Sequence, residues 1–192
     1  MRICVYCASS SAVAPGYFDA ARTLGRRIAE RGDTLVYGGA SVGLMGALAM
    51  AVKTGGGYVI GVMPTTFQDR RLTFAEADEI VVTEDLRTRK AAMEARADAF
   101  VILPGGFGTL EELSETLTLR QIGAHAKPIV ILNIDGFYDP LIALFEHYYR
   151  QRFAKPWRDL YHIASTIEGA FTYLDAYAPT STPPKWFEDD LQ

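Results

Sequence analysis

This sequence of 192 residues has only two cysteines, no long apolar run and no excess of basic charge. Its two cysteines, Cys4 and Cys7, form a C-x-x-C pattern inside a predicted strand, where residues three apart point to opposite faces. We therefore expect neither a metal site nor a redox site from them. Two thiols without a disulfide framework are typical of a reducing compartment, so we expect a cytoplasmic protein.

The remaining absences exclude several classes of protein. No apolar stretch is long enough to span a bilayer, and Met1 lies almost directly before the first predicted strand, so we expect no membrane segment and no signal peptide. The net charge of −4 and the scattered basic residues argue against a nucleic-acid surface. The composition, 49% hydrophobic and 22% charged, predicts one globular domain over residues 1–178. We expect little order in the proline-containing tail, residues 179–192.

Strands and helices are predicted to alternate along the chain. Apolar runs predict six strands, at Ile3–Ala8, Thr34–Tyr37, Tyr58–Met63, Glu79–Thr83, Phe100–Leu103 and Lys127–Leu132. The helices between them include one over Leu86–Ala97, for which Asp85 can provide the cap. This alternation predicts a Rossmann-like, doubly wound α/β fold with a mainly parallel sheet and helices on both faces. The segment Pro64–Asp78 has no clear period, and a functional loop and a solvated surface loop fit it equally well.

The most informative stretch joins a predicted buried strand to a helix that we expect to begin at Leu110. Between the two lie Gly105, Gly106, Gly108 and Thr109. Glycines let backbone N–H groups approach a phosphate closely, and the first turn of a helix offers unpaired N–H groups to it. Glu112, one turn further along, places a carboxylate at a fixed distance from that phosphate. The alternative is a capping box without any ligand, with Thr109 as the N-cap and Glu112 three residues later.

Two other turns are expected at the same edge of the sheet. Ser9 and Ser10 follow the first strand, where ligand contacts and a plain loop with a helix cap fit equally well, and Gly38 and Gly39 follow the second. Because ligands of such sheets bind beyond the carboxyl ends of the strands, these turns can meet the Gly105–Thr109 turn around one ligand. The second turn does not have the G-x-G-x-x-G spacing, so a dinucleotide fingerprint is not supported.

One basic pair, Arg89 and Lys90, lies on the helix that is predicted between the fourth and fifth strands. Arg89 falls close to Met93 and Arg96 around the helix, so its side chain need not point to solvent. An exposed basic helix surface is the alternative for this pair.

The sequence resembles the LOG (Lonely Guy) family over roughly residues 2 to 175. The stretch Pro104-Gly105-Gly106-Phe107-Gly108-Thr109-Leu110-Glu111-Glu112 matches the family signature P-G-G-x-G-T-x-x-E. The turn Cys7 to Ser10, the segment Gly38 to Gly46 and the Arg89-Lys90 pair occur in the order and spacing of the family. The departures are small, since the family usually has glycine at the positions of Ala8 and Ala40 and methionine at that of Leu86.

The resemblance implies a cytokinin riboside 5′-monophosphate phosphoribohydrolase, which splits a nucleoside 5′-monophosphate such as AMP or N6-prenyl-AMP into free base and ribose 5-phosphate. It implies that Arg89 and Glu112 are catalytic. The phosphate and the rest of the substrate would be bound by Ser9, Ser10, Gly38, Gly39, Lys90, Gly105, Gly106, Gly108 and Thr109. The resemblance further implies a homodimer and a reaction that needs neither a metal nor an organic cofactor.

Two other functions remain open from the residues alone. A nucleotide-binding module without catalysis would have the same phosphate turn. A lysine decarboxylase, the label often given to this family, would need pyridoxal phosphate on a lysine. None of Lys53, Lys90, Lys127 and Lys155 stands in a context that marks it as that lysine. The sequence does not indicate which base is preferred.

Overall fold

Strands and helices alternate through the computed structural model, which describes residues 1–67, 72–181, 183, 185 and 186. The strands β1 to β7 are Arg2–Tyr6, Thr34–Tyr37, Tyr58–Pro64, Glu79–Thr83, Ala99–Ile102, Ile129–Leu132 and His162–Ala164. The helices α1 to α6 are Pro15–Glu30, Gly43–Thr54, Leu86–Arg96, Phe107–Gln121, Asp139–Arg150 and Ile167–Ala176. Short 3₁₀ segments lie at Thr65–Phe67 and Ile134–Gly136.

All seven strands form one parallel sheet in the order β4-β3-β2-β1-β5-β6-β7. From β1 the chain builds outward to β4 and then returns to the other side of β1 as β5. Ile3 lies opposite Ala99, and Tyr6 lies opposite Ile102. The strand order therefore reverses between β1 and β5, and in open α/β sheets this is the point at which a ligand crevice forms beyond the carboxyl ends.

Each face of the sheet has its own buried core, because successive side chains of a strand point to opposite faces. In β1, Ile3 and Val5 belong to one core, while Cys4 and Tyr6 belong to the other. Helices α1, α2 and α6 contribute to the first core, and α3, α4 and α5 contribute to the second. Since both faces are covered, the central strands are apolar throughout instead of alternating.

The predicted fold is confirmed, and two local differences stand out. Strand β7 was not predicted, because His162–Ala164 is too short to show any period and is defined by its pairing with β6. Helix α4 begins at Phe107, three residues before the predicted start at Leu110. The second difference changes the chemistry of the glycine turn, as the site shows.

Two predicted segments extend beyond what the structure describes. Within Pro64–Asp78, Thr73 pairs with Ala40 as an isolated bridge, while Arg70 and Arg71 lie outside the described residues. Most of the segment 182–192 also lies outside them, so the poorly ordered tail stays a prediction. Over the described part of the chain, every helix is too short or too polar to cross a bilayer.

Candidate functional site

A cleft of about 550 Å³ opens at the carboxyl edge of the sheet, around the point where the strand order reverses. Its walls come from the turns after β1 and β2, the end of β3, and helices α3 and α4. The predicted site residues that line it are Ser9, Ser10, Gly38, Arg89, Gly106, Gly108, Thr109 and Glu112. The structure therefore brings together residues that are up to about a hundred positions apart in the chain.

The glycine turn before α4 leaves the start of that helix open to the cleft. Gly106 is the N-cap residue, and no side chain caps this end of α4. A Cβ atom added at Gly106 or at Gly108 would meet no atom within 4 Å. At Gly105 the added Cβ would lie 2.1 Å from Oγ1 of Thr109. The missing side chain of Gly105 therefore makes room for Thr109 and not for a ligand. Gly106 and Gly108 thus leave space for an anion beside the first-turn N–H groups.

The capping-box interpretation of this turn is wrong. With Gly106 as the N-cap, Thr109 is the third residue of α4, and Glu112 lies six positions beyond the N-cap. A carboxylate reaches back to the N-cap N–H only from the third position, so Glu112 does not serve this end of the helix. Its side chain is buried and directed at α3.

Arg89 and Glu112 form an ion pair that joins α3 to α4 inside the cleft. The Nη2 atom of Arg89 donates to Oε1 of Glu112, and both side chains are largely buried. Burial raises the pKa of Glu112 to about 7, against the lowering effect of the Arg89 charge. Nε of Arg89 is buried and has no acceptor among the described residues.

The two glycines after β2 have different surroundings. A Cβ atom at Gly38 would lie 2.6 Å from Cε of Met45 and 3.2 Å from Nη1 of Arg89, so its absence makes room for the guanidinium. Gly39 does not line the cleft; it has a φ of +78° and its carbonyl accepts from the N–H of Phe74. Gly38 therefore belongs to the site, and Gly39 shapes the turn behind it.

The serine turn after β1 packs against the start of α2. Oγ of Ser10 accepts from the N–H of Ala12, and Oγ of Ser11 accepts from that of Gly43. Ser9 and Ser10 are exposed at the rim of the cleft, where their groups remain accessible to a ligand.

Lys90 follows Arg89 directly but does not line the cleft. Its ammonium contacts the carboxylates of Glu111 and Glu115 on α4. Gly105 likewise lies outside the lining, so Lys90 and Gly105 are separated, as Gly39 is, from the predicted residues that line the cleft.

An apolar wall was missed by the sequence analysis. It consists of Met45, Met63, Phe67, Leu72, Leu86 and Met93, which line the cleft on the side of β2 and β3. Four of these lie in or beside the aperiodic segment 64–78 or at a helix start, where a side chain's direction has no periodic signal. Phe107, inside the glycine motif, lies at the cleft with 91% of its surface exposed.

The parallel α/β sheet thus carries an open glycine turn and a buried arginine–glutamate pair at the point where its strand order reverses. The family model described as "Possible lysine decarboxylase" matches residues 45–174. The LOG3 cytokinin riboside 5′-monophosphate phosphoribohydrolase of Arabidopsis thaliana is 43% identical over 93% of this chain and 83% of its own length. The LOG enzyme of Oryza sativa subsp. japonica, of the same description, is 44% identical over 93% of this chain and 74% of its own. The chain belongs to this LOG, or "possible lysine decarboxylase", family.

Solved structures share the fold at lower identity. The molybdenum cofactor binding protein of Rippkaea orientalis has a TM-score of 0.71 at 23% identity, covering 91% of this chain and 95% of its own. The Moco carrier protein of Chlamydomonas reinhardtii has a TM-score of 0.69 at 24% identity, covering 91% and 94%. These likenesses confirm the parallel α/β architecture.

Proposed function

We propose that this protein hydrolyses the N-glycosidic bond of N6-substituted adenosine 5′-monophosphates, releasing the free base and ribose 5-phosphate. The curated relatives at 43–44% identity bear the name of this activity. The observation that carries the proposal is the buried Arg89–Glu112 pair, which faces the same cleft as the open N-terminus of α4.

The phosphate is bound at the start of α4. First-turn N–H groups and the positive end of the helix dipole favour an anion there, and Gly106 and Gly108 leave room for its approach. The hydroxyl of Thr109 adds a further donor. Binding energy from this non-reacting group positions the sugar, so the phosphate contributes to rate as well as to affinity.

The bond is broken between the phosphate site and the base. Loss of the base gives the sugar an oxocarbenium-like character, as in glycoside hydrolysis. The Glu112 carboxylate stabilises that positive charge and orients the attacking water, and it does so strongly because it is buried. Arg89, which lines the cleft, hydrogen-bonds to the departing base as electrons move onto it.

The apolar wall supports a substituted adenine. Met63 is the penultimate residue of β3, whereas the phosphate turn follows β5, and three strand spacings of about 4.8 Å separate the two strands. A base directed away from α4 reaches Met63, Phe67 and Leu72 at the far side of the cleft. These side chains suit an apolar N6 substituent better than the bare amino group of adenine.

The decarboxylase label finds less support in this cleft. A pyridoxal phosphate enzyme needs a lysine that can form a Schiff base with the cofactor. Among the described residues no lysine lines the cleft, and the sequence has no lysine at the remaining positions. The binding-module alternative shares the phosphate site and differs only in the absence of turnover.

We also propose a homodimer with α3 and α4 close to the interface. Exposed apolar side chains on these helices support it, namely Leu86, Phe107 and Leu110. Of the aromatic residues of α5, Phe145 packs on Tyr161, and Tyr148 is exposed. Light scattering at micromolar concentration should give twice the chain mass of 21.1 kDa, and a monomer would count against the dimer.

The test is incubation of the purified protein with AMP and with N6-isopentenyl-AMP, followed by chromatography for the free base. We expect free base from both nucleotides, faster from the substituted one, and much slower release from the corresponding nucleosides. Equal rates on nucleoside and nucleotide would refute the role of the phosphate site. Binding of nucleotide without release of base would favour the binding module.

A further inference from the structure

Lys90 has a position that its place in the sequence does not suggest. Its side chain is only 12% exposed, and its ammonium contacts two carboxylates, Glu111 and Glu115, whose side chains are 60% and 45% exposed. These glutamates lie four residues apart on one face of α4. Because both carboxylates belong to α4, the ammonium of Lys90 on α3 is held against α4 by two ion pairs.

The contacts of Lys90 repeat those of its neighbour. Arg89 and Lys90 are consecutive on α3, and they pair with the consecutive residues Glu112 and Glu111 on α4. The inner pair is buried in the cleft, and the outer pair lies outside the cleft lining. Two adjacent cross-helix pairs fix the separation and the rotation of α3 against α4 more firmly than one pair does.

The charges around Glu112 depend on this outer pair. Arg89 and Lys90 face it from α3 and favour its ionised form, whereas Glu111 on its own helix disfavours that form. From β1 and the residue directly after it, Glu112 faces Cys4, Tyr6 and Cys7, whose pKa values burial raises well above their usual range, so these groups stay neutral. Loss of the Lys90 charge would thus leave Glu112 beside uncompensated carboxylates.

We propose that Lys90 is a positioning residue: it neutralises Glu111 and Glu115 and holds α4 against α3, so that Glu112 stays ionised and in place, without contact to the nucleotide. The catalytic consequence rests on the proposed hydrolase function. The effect of Lys90 on the position and ionisation of Glu112 does not depend on that function.

The experiment compares Lys90→Gln with Lys90→Arg, which keeps the charge, and with Lys53→Gln. Lys53 is a matched control, because it pairs with Asp78 at the end of α2, away from the cleft. Lys90→Gln should lower kcat about tenfold at pH 7 through misplacement of the carboxylate. It should also move the acidic limb of the kcat/KM profile upward by roughly half to one pH unit.

Lys90→Arg should restore most of both quantities, and Lys53→Gln should leave both unchanged. The KM for AMP and the calorimetric Kd for ribose 5-phosphate should stay within about twofold of wild type in Lys90→Gln. A tenfold weaker Kd with unchanged kcat would make Lys90 a phosphate ligand and overturn the proposal. If kcat, the pH profile and Kd are all unchanged, Lys90 forms only a surface ion pair, and this outcome would also overturn the proposal.

A titration that needs no turnover separates this inference from the proposed function. The side-chain carboxyl carbon of Glu112, followed by ¹³C NMR, should titrate at higher pH in Lys90→Gln than in wild type. If the wild-type protein hydrolyses no nucleotide, the proposed function fails while this titration still decides the role of Lys90. An identical titration in both proteins would overturn the positioning role even in an active enzyme.

Discussion

Two strand-to-helix junctions of this protein are rich in glycine, yet they use it for different purposes. At the β2–α2 junction, Gly43 has a φ of +59°, and a Cβ atom there would lie 2.4 Å from the backbone carbon of Ser9. At Gly46 it would lie 2.0 Å from the carbonyl oxygen of Ser41. At the β5–α4 junction, Gly106 and Gly108 have no atom within 4 Å of such a Cβ. The first set of glycines admits protein backbone, and the second leaves space for a ligand.

The helix N-termini show the same division. In α2, the N–H of Leu44 donates to the carbonyl of Ala8, and the N–H of Gly43 donates to Oγ of Ser11. Protein acceptors therefore already serve the start of α2. No side chain caps α4, which leaves its first turn for an anion. A glycine-rich turn thus indicates that another group approaches its backbone closely. Whether that group is protein or ligand depends on the neighbouring residues in the fold.

The largest effect should come from Glu112→Gln, which keeps the size and the contact to Arg89 but removes the charge. We expect kcat to fall by about 10²-fold or more, equivalent to about 2.7 kcal/mol of barrier. Steady-state kinetics on AMP would measure it. Ribose 5-phosphate binding should stay near wild type, as should thermal stability at pH 5, where a folded-state pKa of about 7 leaves Glu112 uncharged. Glu168→Gln, which removes the same charge from a carboxylate paired with Arg27, should keep wild-type turnover. Comparable kcat in Glu112→Gln and wild type would refute the catalytic assignment.

A substitution at the β2–α2 junction should instead lower the stability of the fold. Gly43→Ala combines the strain of a positive φ with overlap on the Ser9 backbone, and we expect a loss of about 2–3 kcal/mol in the free energy of unfolding. Urea denaturation measures this. Gly56→Ala is the matched control, because φ is +77° there but nothing lies within 4 Å, so only the strain of about 1–2 kcal/mol applies. Equal losses in the two variants would mean that the close approach to Ser9 contributes nothing.

The sequence predicts the glycine turns but not this difference between them. Periodicity locates the strands because burial on both faces makes them apolar, and β2 was predicted with its observed bounds. The start of α4 was placed too late, because Phe107 and Gly108 carry no helical pattern of their own. The contacts of Lys90 and the apolar wall depend on which elements the fold brings side by side. Neighbouring residues in the sequence do not reveal them.

The pH dependence tests the electrostatics of the β5–α4 side. Since burial raises the pKa of Glu112 to about 7, kcat/KM should fall about tenfold per pH unit below that value and level off above it. The free energy of unfolding should instead decrease as the pH rises. A carboxyl with a raised folded-state pKa is easier to bury protonated, so wild-type stability should decline between about pH 4.5 and 7 relative to Glu112→Gln. A flat profile of kcat/KM from pH 5 to 8 would contradict the ionised role.

The smallest effect, and the sharpest contrast with Gly43, is expected for Gly106→Ala. Gly106 has a φ of −91°, which any residue can adopt, and its Cβ would project into open space. Stability should therefore change by less than about 1 kcal/mol, the usual effect of alanine at an N-cap. If that space receives the phosphate, the affinity for ribose 5-phosphate should fall about fivefold, close to 1 kcal/mol. Calorimetric titration beside urea denaturation separates the two quantities. Gly105→Ala, whose Cβ overlaps Thr109, should instead lose stability. Unchanged ribose 5-phosphate affinity in Gly106→Ala would place the phosphate elsewhere in the cleft and remove the functional half of the contrast between the two junctions.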